Sequence, residues 1–590
     1  MPKIEVNEET FFALAGRSWT SKEEFEEALV CAKAELDSGF GESHIPREER
    51  TLKLELNDTN RPDLWGTAGC ARQLRVFFGG KSGEYHFFSS PGAIKETKYK
   101  VKVEKSVKQV RPFISGFVAS GKVITDPLLR DMIQTQEKLA WNFGRRRRSI
   151  SMGLYRITKI SWPIIYKGVD PGSVSFVPLG VDYAGIEKVI AYNSMSLSEI
   201  LKQHPKGKEY AFILENEKIH PLLTDSQGAV LSYPPIINSA DLGAVQVGDS
   251  EIFIELTGTD QKAVTLSASI MACDFADFGF TIHPIEIEYE YETPFDKKCV
   301  APYYFQEKVF CSLARIEKFL GEKLNSDECA AALAKMGIRS EKGSGAEKGT
   351  NVKGEGLWAW PPEYRNDFLH AADVAEDVAI GRGLVSFKPE RPSDFTVGHL
   401  LPMTFFSRRI KELMVGMGYQ EMIYNYLGSR KDFVEKMQGD GKHIIRISNP
   451  MTENYEYVRD SVIVSLLTSE SVSGHAVYPH RIFETGKIAR LDENENYGSV
   501  TRQYLGFLHA DREANFNTAA AQIQALFYYI AREYEVEESA DPRFIQGRAA
   551  SIVYKGKSIG VFGEIHPGVL ENWGITMPCT AAELDIEVLL

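Results

Sequence analysis

Four carboxylates stand out by type and spacing: Asp367, Asp373, Glu376 and Asp377, inside Pro361 to Gly383 (PPEYRNDFLHAADVAEDVAIGRG). On a helix, positions 373, 376 and 377 are i, i+3 and i+4 and share one face. Asp367 lies just ahead and can turn back onto the same patch. Like charges this close repel unless a cation sits among them. A hard cation with oxygen ligands relieves that, and Mg2+ suits a few carboxylates plus waters. The same residues also read as a solvated acidic face near a helix N-terminus, where the dipole favours carboxylates.

A second candidate is Glu251 to Asp260, EIFIELTGTD. Period-two alternation puts Ile252, Ile254 and Leu256 on one side and Phe253, Glu255 and Thr257 on the other. A carboxylate and a hydroxyl beside an aromatic can line a polar pocket, or that face can meet solvent. A third is Gly144-Arg145-Arg146-Arg147-Arg148, behind a helix predicted over Asp131 to Phe143. Arginines there suit the helix C-terminal dipole or a phosphate contact.

The elements around these candidates alternate between helix and strand signals. Asn57-Asp58-Thr59-Asn60-Arg61-Pro62-Asp63-Leu64 is turn chemistry leading into a helix with Pro62 at its first position. His220 to Tyr233 reads as a hairpin closed by Thr224-Asp225-Ser226-Gln227-Gly228. Thr281 to Glu292 alternates cleanly and is expected to cross between domains. Asn325-Ser326-Asp327 caps a helix. Lys342 to Gly356, rich in Gly and Lys, reads as an exposed loop. A new domain of helices and strands follows Pro392.

The chain has 590 residues, 43% hydrophobic and 25% charged, which fits a globular protein of several domains. It has no apolar run long enough for a membrane span and no signal core in MPKIEVNEETFFALAG. Its seven cysteines contain no C-x-x-C pair, which points to a reducing compartment, the cytoplasm, and away from structural zinc. The net charge of −13 argues against general, charge-driven nucleic-acid binding, though not against a local basic surface.

Eight segments in order carry a resemblance: NDTNRPDL (57–64), QEKLAWNFGRRRR (136–148), VLSYPPIIN (230–238), FIELTGTD (253–260), PEYRNDFLHAADVAEDVAIGRG (362–383), SNPMTENYEYVRDS (448–461), IFETGKI (482–488) and GEIHP (563–567). Together they resemble the phenylalanyl-tRNA synthetase β-subunit family, in its shorter archaeal and eukaryotic form. The resemblance implies a multidomain α+β fold. An N-terminal α/β domain (1–95) precedes a mixed α/β editing module (96–280) and a linker strand (281–300). A small helical, winged-helix-like module (301–392) and an antiparallel class II synthetase-like core (393–590) follow.

It further implies an α2β2 heterotetramer with a catalytic α subunit, tRNA(Phe) as partner, and ATP-dependent attachment of phenylalanine by α. The β subunit would hydrolyse Tyr-tRNA(Phe) in a pocket formed by Leu223, Ser232, Glu255 and Thr257. Glu255 would receive the tyrosine hydroxyl; it stands where the archaeal form carries Asp. No Ser-His-Asp or Cys-His set is apparent, so a positioned water assisted by the tRNA terminus would attack. Mg2+ would bind Asp367, Asp373, Glu376 and Asp377 at a site shared with α. The core lacks the class II arginines in register and is expected to be catalytically silent, its apolar sheet and helix faces forming an obligate interface. A stand-alone deacylase and a scaffold without editing are the rival readings.

Overall fold

The computed structural model describes residues 3–42, 44–46, 49–56, 60–81, 83–90, 97–180 and 192–590. They form two compact units, Met1–Glu390 and Arg391–Leu590. Asn57, Asp58 and Thr59 of the expected turn lie outside the described residues. Beyond them, Pro62 does open a short 3-10 turn, Pro62–Leu64, ahead of the helix Thr67–Phe77.

The first unit begins with a three-stranded sheet of Lys3–Asn7, Thr51–Leu56 and Ala34–Ser38, with Thr51–Leu56 in the middle. Ile4, Val6, Leu52 and Leu54 turn inward, as their alternation requires. The ten-stranded sheet that follows carries the candidate pocket. Five of its strands matter most: β1 (Phe113–Ser120), β2 (Ile150–Arg156), β3 (His220–Thr224), β4 (Val230–Tyr233) and β5 (Glu251–Gly258). Across the sheet the order runs Ile237–Asn238, β4, β3, Ile164–Val169, Lys100–Val103, Thr281–Tyr289, β1, β5, β2. One face of β1 and β5 packs on the helix Gln261–Asp277, whose first turn is capped by Asp260. The other face encloses a core that includes Val103, Tyr155, Tyr166, Leu231, Phe253 and Ile285. The sheet rolls far enough that β2 and β4, near its opposite ends, meet through side chains.

Thr281–Tyr289 is no linker: it sits mid-sheet, pairing with Lys100–Val103, β1 and Lys298–Ala301. Its acidic face is used inside the domain, where Glu286 meets both Lys100 and Lys298. Residues 342–356 are not a loop either but most of a hairpin, Arg339–Ala346 against Lys353–Trp360. Gly345 leaves room for a ring: a Cβ there would stand 2.6 Å from that of Phe310.

That hairpin and Val309–Ser312 make a three-stranded sheet beside the helices Leu313–Leu320, Ser326–Lys335 and α1 (Ala371–Arg382). The second of these is capped by Asn325, as its sequence requires. Leu333, Val374 and Val378 from this module share one continuous core with Ile4, Phe11 and Leu74 from the first residues.

The second unit is a seven-stranded sheet, antiparallel except at one edge: Gln420–Glu421, His480–Leu491, Ser499–Ala510, Cys579–Asp585, Lys557–Ile565, Phe544–Tyr554, Glu535–Glu538. Alternation sorts its side chains. Phe483, Leu505, Phe507 and Leu584 pack on the helices Pro402–Gly416 and Phe516–Tyr529, and Ile482, Leu508 and Ala581 on Ile463–Val472 and Pro567–Trp573. Both sheet faces are therefore covered by the unit's own helices, so the sheet itself offers no apolar face to a partner. Exposed apolar residues remain on helices and loops, among them Phe405, Val415, Met451, Val472, Tyr528 and Tyr529. Among the described residues, no helix is long and apolar enough to cross a membrane.

Candidate functional site

On β5 the alternation divides the residues as the sequence requires. Ile252, Ile254 and Leu256 enter the core under Gln261–Asp277, while Phe253 enters the core inside the rolled sheet. The face of Phe253, Glu255 and Thr257 does not meet solvent: Glu255 is 2% and Thr257 0% exposed. Glu255 is flanked in register by glycine on both sides, Gly116 on β1 and Gly153 on β2. A Cβ on Gly153 would stand 2.1 Å from Tyr155 Oη and 2.7 Å from Glu255 Oε2. Tyr155, opposite Phe253 in register, leans across that gap to reach Glu255 diagonally.

The resulting triad joins strands from distant parts of the sheet. Tyr155 Oη lies 2.7 Å from Glu255 Oε2 and 2.8 Å from Ser232 Oγ on β4. β4 is set by the predicted hairpin: Leu223 and Ser232 face each other across β3 and β4, and the turn is organised by Asp225, which accepts from the N–H groups of Gln227 and Ala229. Beneath lies Arg111, fully buried. It donates through Nε to Thr257 Oγ1 at 3.0 Å and through Nη2 to the Thr257 carbonyl at 2.7 Å and Ser151 Oγ at 3.0 Å.

Glu255 and Ser232 line a cavity of about 490 Å³, with Gly153, Gln136, Arg147 and Pro235 among the other walls. Of the four expected pocket residues, these two reach the cavity. Leu223 is buried in the inner core and Thr257 is held by Arg111 under the floor; neither lines it. Burial pushes the Glu255 carboxyl up to about 7, against the pull of the Tyr155 hydrogen bond, the Arg111 charge and Thr257. Burial also lowers Arg111 to about 10, with Tyr166 and Glu255 opposing. The floor thus holds a buried cation and a buried carboxyl kept apart by Thr257.

At the rim, the helix Asp126–Lys138 continues as a wider coil through Phe143 into the arginines. Arg145, Arg146 and Arg147 take φ of 51°, 56° and 65°, the left-handed region that side chains seldom adopt. Arg111 Nη1 grips this turn from inside, donating to the carbonyls of Arg147 at 3.2 Å and Arg148 at 3.1 Å. Arg147 folds inward onto Glu137 and the carbonyls of Pro235 and Ile236. Arg145, Arg146 and Arg148 point outward; Arg146 lies over Trp141 and Arg148 over Phe212, each 4.8 Å from the ring centre.

Arg111, Ser151, Gly153 and Tyr155 carry no motif that marks them in the sequence. One signal was available: in SISMGLYR the same alternation puts Ser151, Gly153 and Tyr155 on one face, matching Thr257, Glu255 and Phe253.

The acidic segment is arranged differently from its spacing. Arg365, buried, donates to Asp367 at 3.0 and 2.6 Å and to Asp377 at 3.2 and 2.7 Å. Beside it, Arg61 makes a two-pronged bond to Asp63, both distances 2.8 Å. Asp373 caps α1, accepting from the N–H groups of Leu369 and His370, each at 2.7 Å. Glu376 faces out and meets Lys33 at 2.7 Å. Burial pushes Asp367 up, but Arg365 and Arg61 outweigh it and hold the carboxyl below its usual range. For Asp377 burial wins over the same two arginines and the carboxyl sits above it.

The four carboxylates therefore do not converge, and among the described residues no group of three His, Cys, Asp or Glu side chains is placed to hold a metal. The donor types suit Mg2+, but this arrangement does not fit it, because Arg365 fills the position between Asp367 and Asp377 that a cation would take.

In the second unit Arg459 and Arg543 are also engaged. Arg459 pairs with Glu484 at 2.6 Å and also binds Ser465 and the Lys487 carbonyl. Gly486 leaves room for it, since a Cβ there would stand 2.0 Å from Arg459 Nη2. Arg543 is shared among Asp541, Glu583 and Ser461.

Residues 390–586 match the family model for the phenylalanyl tRNA synthetase beta chain CLM domain, and 309–384 the tRNA synthetase B5 domain. The whole chain aligns over the full length of the phenylalanine–tRNA ligase beta subunits of Treponema pallidum subsp. pallidum, at 44% identity, and Borreliella burgdorferi, at 45%. The chain belongs to the phenylalanyl-tRNA synthetase β-subunit family. An N-terminal fragment of the phenylalanyl-tRNA synthetase β subunit from Pyrococcus horikoshii, 33% identical, matches with a TM-score of 0.55, covering 65% of this chain and all of the fragment. β subunits of this length are therefore not peculiar to archaea and eukaryotes, since these curated relatives are bacterial. The CLM match falls on the second unit of this β subunit, and the B5 match spans the hairpin and α1.

Proposed function

We propose that this β subunit hydrolyses Tyr-tRNA(Phe) in the Glu255–Ser232 cavity while its α partner attaches phenylalanine to tRNA(Phe) with ATP. The observation that carries the reading is the Tyr155 phenol on Glu255: a buried carboxyl at the cavity wall already accepts a phenolic hydroxyl at 2.7 Å. Tyrosine differs from phenylalanine by that group alone. A site that hydrogen-bonds a hydroxyl separates the two far better than one that merely excludes it.

The chain's own residues bind and orient. Glu255 receives the substrate hydroxyl, Ser232 and Gly153 shape the wall beside it, and the aliphatic and proline residues of the cavity take the ring. Water supplies the oxygen that replaces the ribose oxygen on the tyrosyl carbonyl carbon, and the released ribose oxygen takes the proton. The outward arginines, with Trp141 and Phe212, offer charge and stacking surfaces of the kind an acceptor strand would use on its way to the cavity.

The second unit is read as silent, and two of its arginines agree: Arg459 and Arg543 are neutralised by Glu484, Asp541 and Glu583, so neither is left to clamp a nucleotide phosphate. Its part in the reading is assembly with α in an α2β2 tetramer, through the exposed residues of its helices and loops. Seven free cysteines suit the cytoplasm.

The test is deacylation of Tyr-tRNA(Phe) by the αβ complex, wild type against Glu255→Ala. A fall of at least about tenfold in the variant is expected. Equal rates would remove Glu255 from the mechanism. Activity of the isolated chain would favour a stand-alone deacylase, and no activity in either complex would favour a scaffold.

A further inference from the structure

Tyr155 does not line the cavity, yet it touches two polar residues that do, Glu255 and Ser232. A phenol has one proton and Tyr155 has two oxygen neighbours. The proton goes to the Glu255 carboxylate, the stronger acceptor, and the Ser232 hydroxyl donates to the phenol oxygen. The ring has little freedom: it is fully buried, stacked on Phe253 with centres 5.7 Å apart, and Phe253 meets Trp162 edge-on. Burial also lifts the phenol far above its ordinary titration range, so it is a permanent donor.

Glu255 needs such a partner. It is one methylene longer than aspartate, and a glutamate beside an open cavity would spread over several rotamers. Gly116 and Gly153 give it no lateral support. An ionised carboxylate offers about four lone-pair sites. The bond to Tyr155 takes one on Oε2, Thr257 engages the carboxyl from below, and the remaining sites are available at a fixed position.

We propose that Tyr155 is a positioning residue that fixes Glu255 as the receptor for a second phenol, that of the substrate, and so sets the preference for tyrosyl over phenylalanyl esters. The proposal rests on the editing reading. A tyrosyl ester completes the carboxylate's hydrogen bonds; a phenylalanyl ester leaves them unmade in a dry wall, worth a factor of about ten to a hundred.

The experiment compares deacylation of Tyr-tRNA(Phe) and Phe-tRNA(Phe) by the αβ complex carrying wild-type β, Tyr155→Phe, Glu255→Ala, and both changes together. Tyr155→Phe keeps the ring and its stacking. It is expected to lower the tyrosyl-to-phenylalanyl ratio of kcat/KM by about tenfold while leaving the phenylalanyl rate within about twofold. In the Glu255→Ala background the same change is expected to do nothing further to the ratio. In Tyr155→Ala, added p-cresol is expected to restore part of the ratio by filling the vacated space. A Tyr155→Phe complex with the wild-type ratio, or with both rates lowered equally, overturns the proposal and leaves the editing reading standing. So does failure of p-cresol to raise the Tyr155→Ala ratio if Tyr155→Phe does not fold. Absence of Tyr-tRNA(Phe) deacylation by the wild-type complex overturns the editing reading, and this proposal with it.

Discussion

Glu255 and Gly153 face each other in register across β5 and β2, and the missing side chain of Gly153 is what allows Glu255 to meet the Tyr155 phenol. Gly153→Ala places a methyl 2.1 Å from that phenol oxygen, so ring and carboxyl must separate. Overpacking of this kind costs about 1–3 kcal/mol. The expected outcome is a modest loss in unfolding midpoint with deacylation of Tyr-tRNA(Phe) down at least about tenfold. Aminoacylation by the αβ complex, measured in parallel, should hold.

The Glu255 carboxyl gives the fold a pH dependence of definite sign. Its folded value of about 7 lies above the ordinary carboxyl range, so the favourable contribution is complete below about pH 4.5 and is lost as pH rises through 7. Glu255→Gln removes the ionisation. Denaturant unfolding at pH 5 and pH 8 is expected to show the wild type losing about 2–3 kcal/mol relative to the variant over that interval. A constant difference between the two proteins would mean that the carboxyl is not buried as described.

Arg365 stands between Asp367 and Asp377 with both partners buried. Removing the guanidinium leaves two buried carboxylates with only Arg61 to offset them, and Arg365→Met is expected to destabilise the first unit by about 3–5 kcal/mol. In the wild-type chain, Mg2+ titrated over a range of concentrations should leave the unfolding midpoint of that unit unchanged, because a ligand that binds the folded form must raise it. A rise that disappears in Asp373→Ala would return a cation to the segment.

The outward arginines make a salt-dependence prediction. Replacing Arg145, Arg146 and Arg148 together by alanine is expected to weaken tRNA binding by the αβ complex and to reduce the slope of log affinity against log salt by about 2–3. A drop in affinity with the slope unchanged would point instead to collapse of the left-handed turn.

The strand alternation of FIELTGTD and the hairpin of His220–Tyr233 were legible from sequence because both are local: period two decides the face, and Asp225 with Gly228 decides the turn. The closure of the pocket was not. Ser232 and Tyr155 are 77 residues apart and meet only because the sheet rolls. Thr281–Tyr289 read as a connector because its strand pairing partners, 100–103 and 113–120, lie far upstream. The acidic segment misled for a related reason. Spacing places Asp373, Glu376 and Asp377 on neighbouring positions of one helix, but Asp373 is consumed by its own backbone turn, Glu376 by Lys33 and Asp377 by Arg365. Helical periodicity registers the carboxylates and is blind to the cations brought from elsewhere.

Those cations tie the beginning of the chain to residues made much later. Lys33 finds Glu376 only after 343 further residues, and Arg61 and Arg365 share one buried charge cluster with Asp63, Asp367 and Asp377. During synthesis on the ribosome the first sheet thus emerges long before its charges can all be matched. A nascent chain halted before α1 would hold Lys33 without Glu376 and the Arg61 cluster without Asp377. The natural limit for dividing this polypeptide is therefore near residue 390, beyond the last of these late partners, and shorter N-terminal pieces are expected to depend on chaperones to stay soluble.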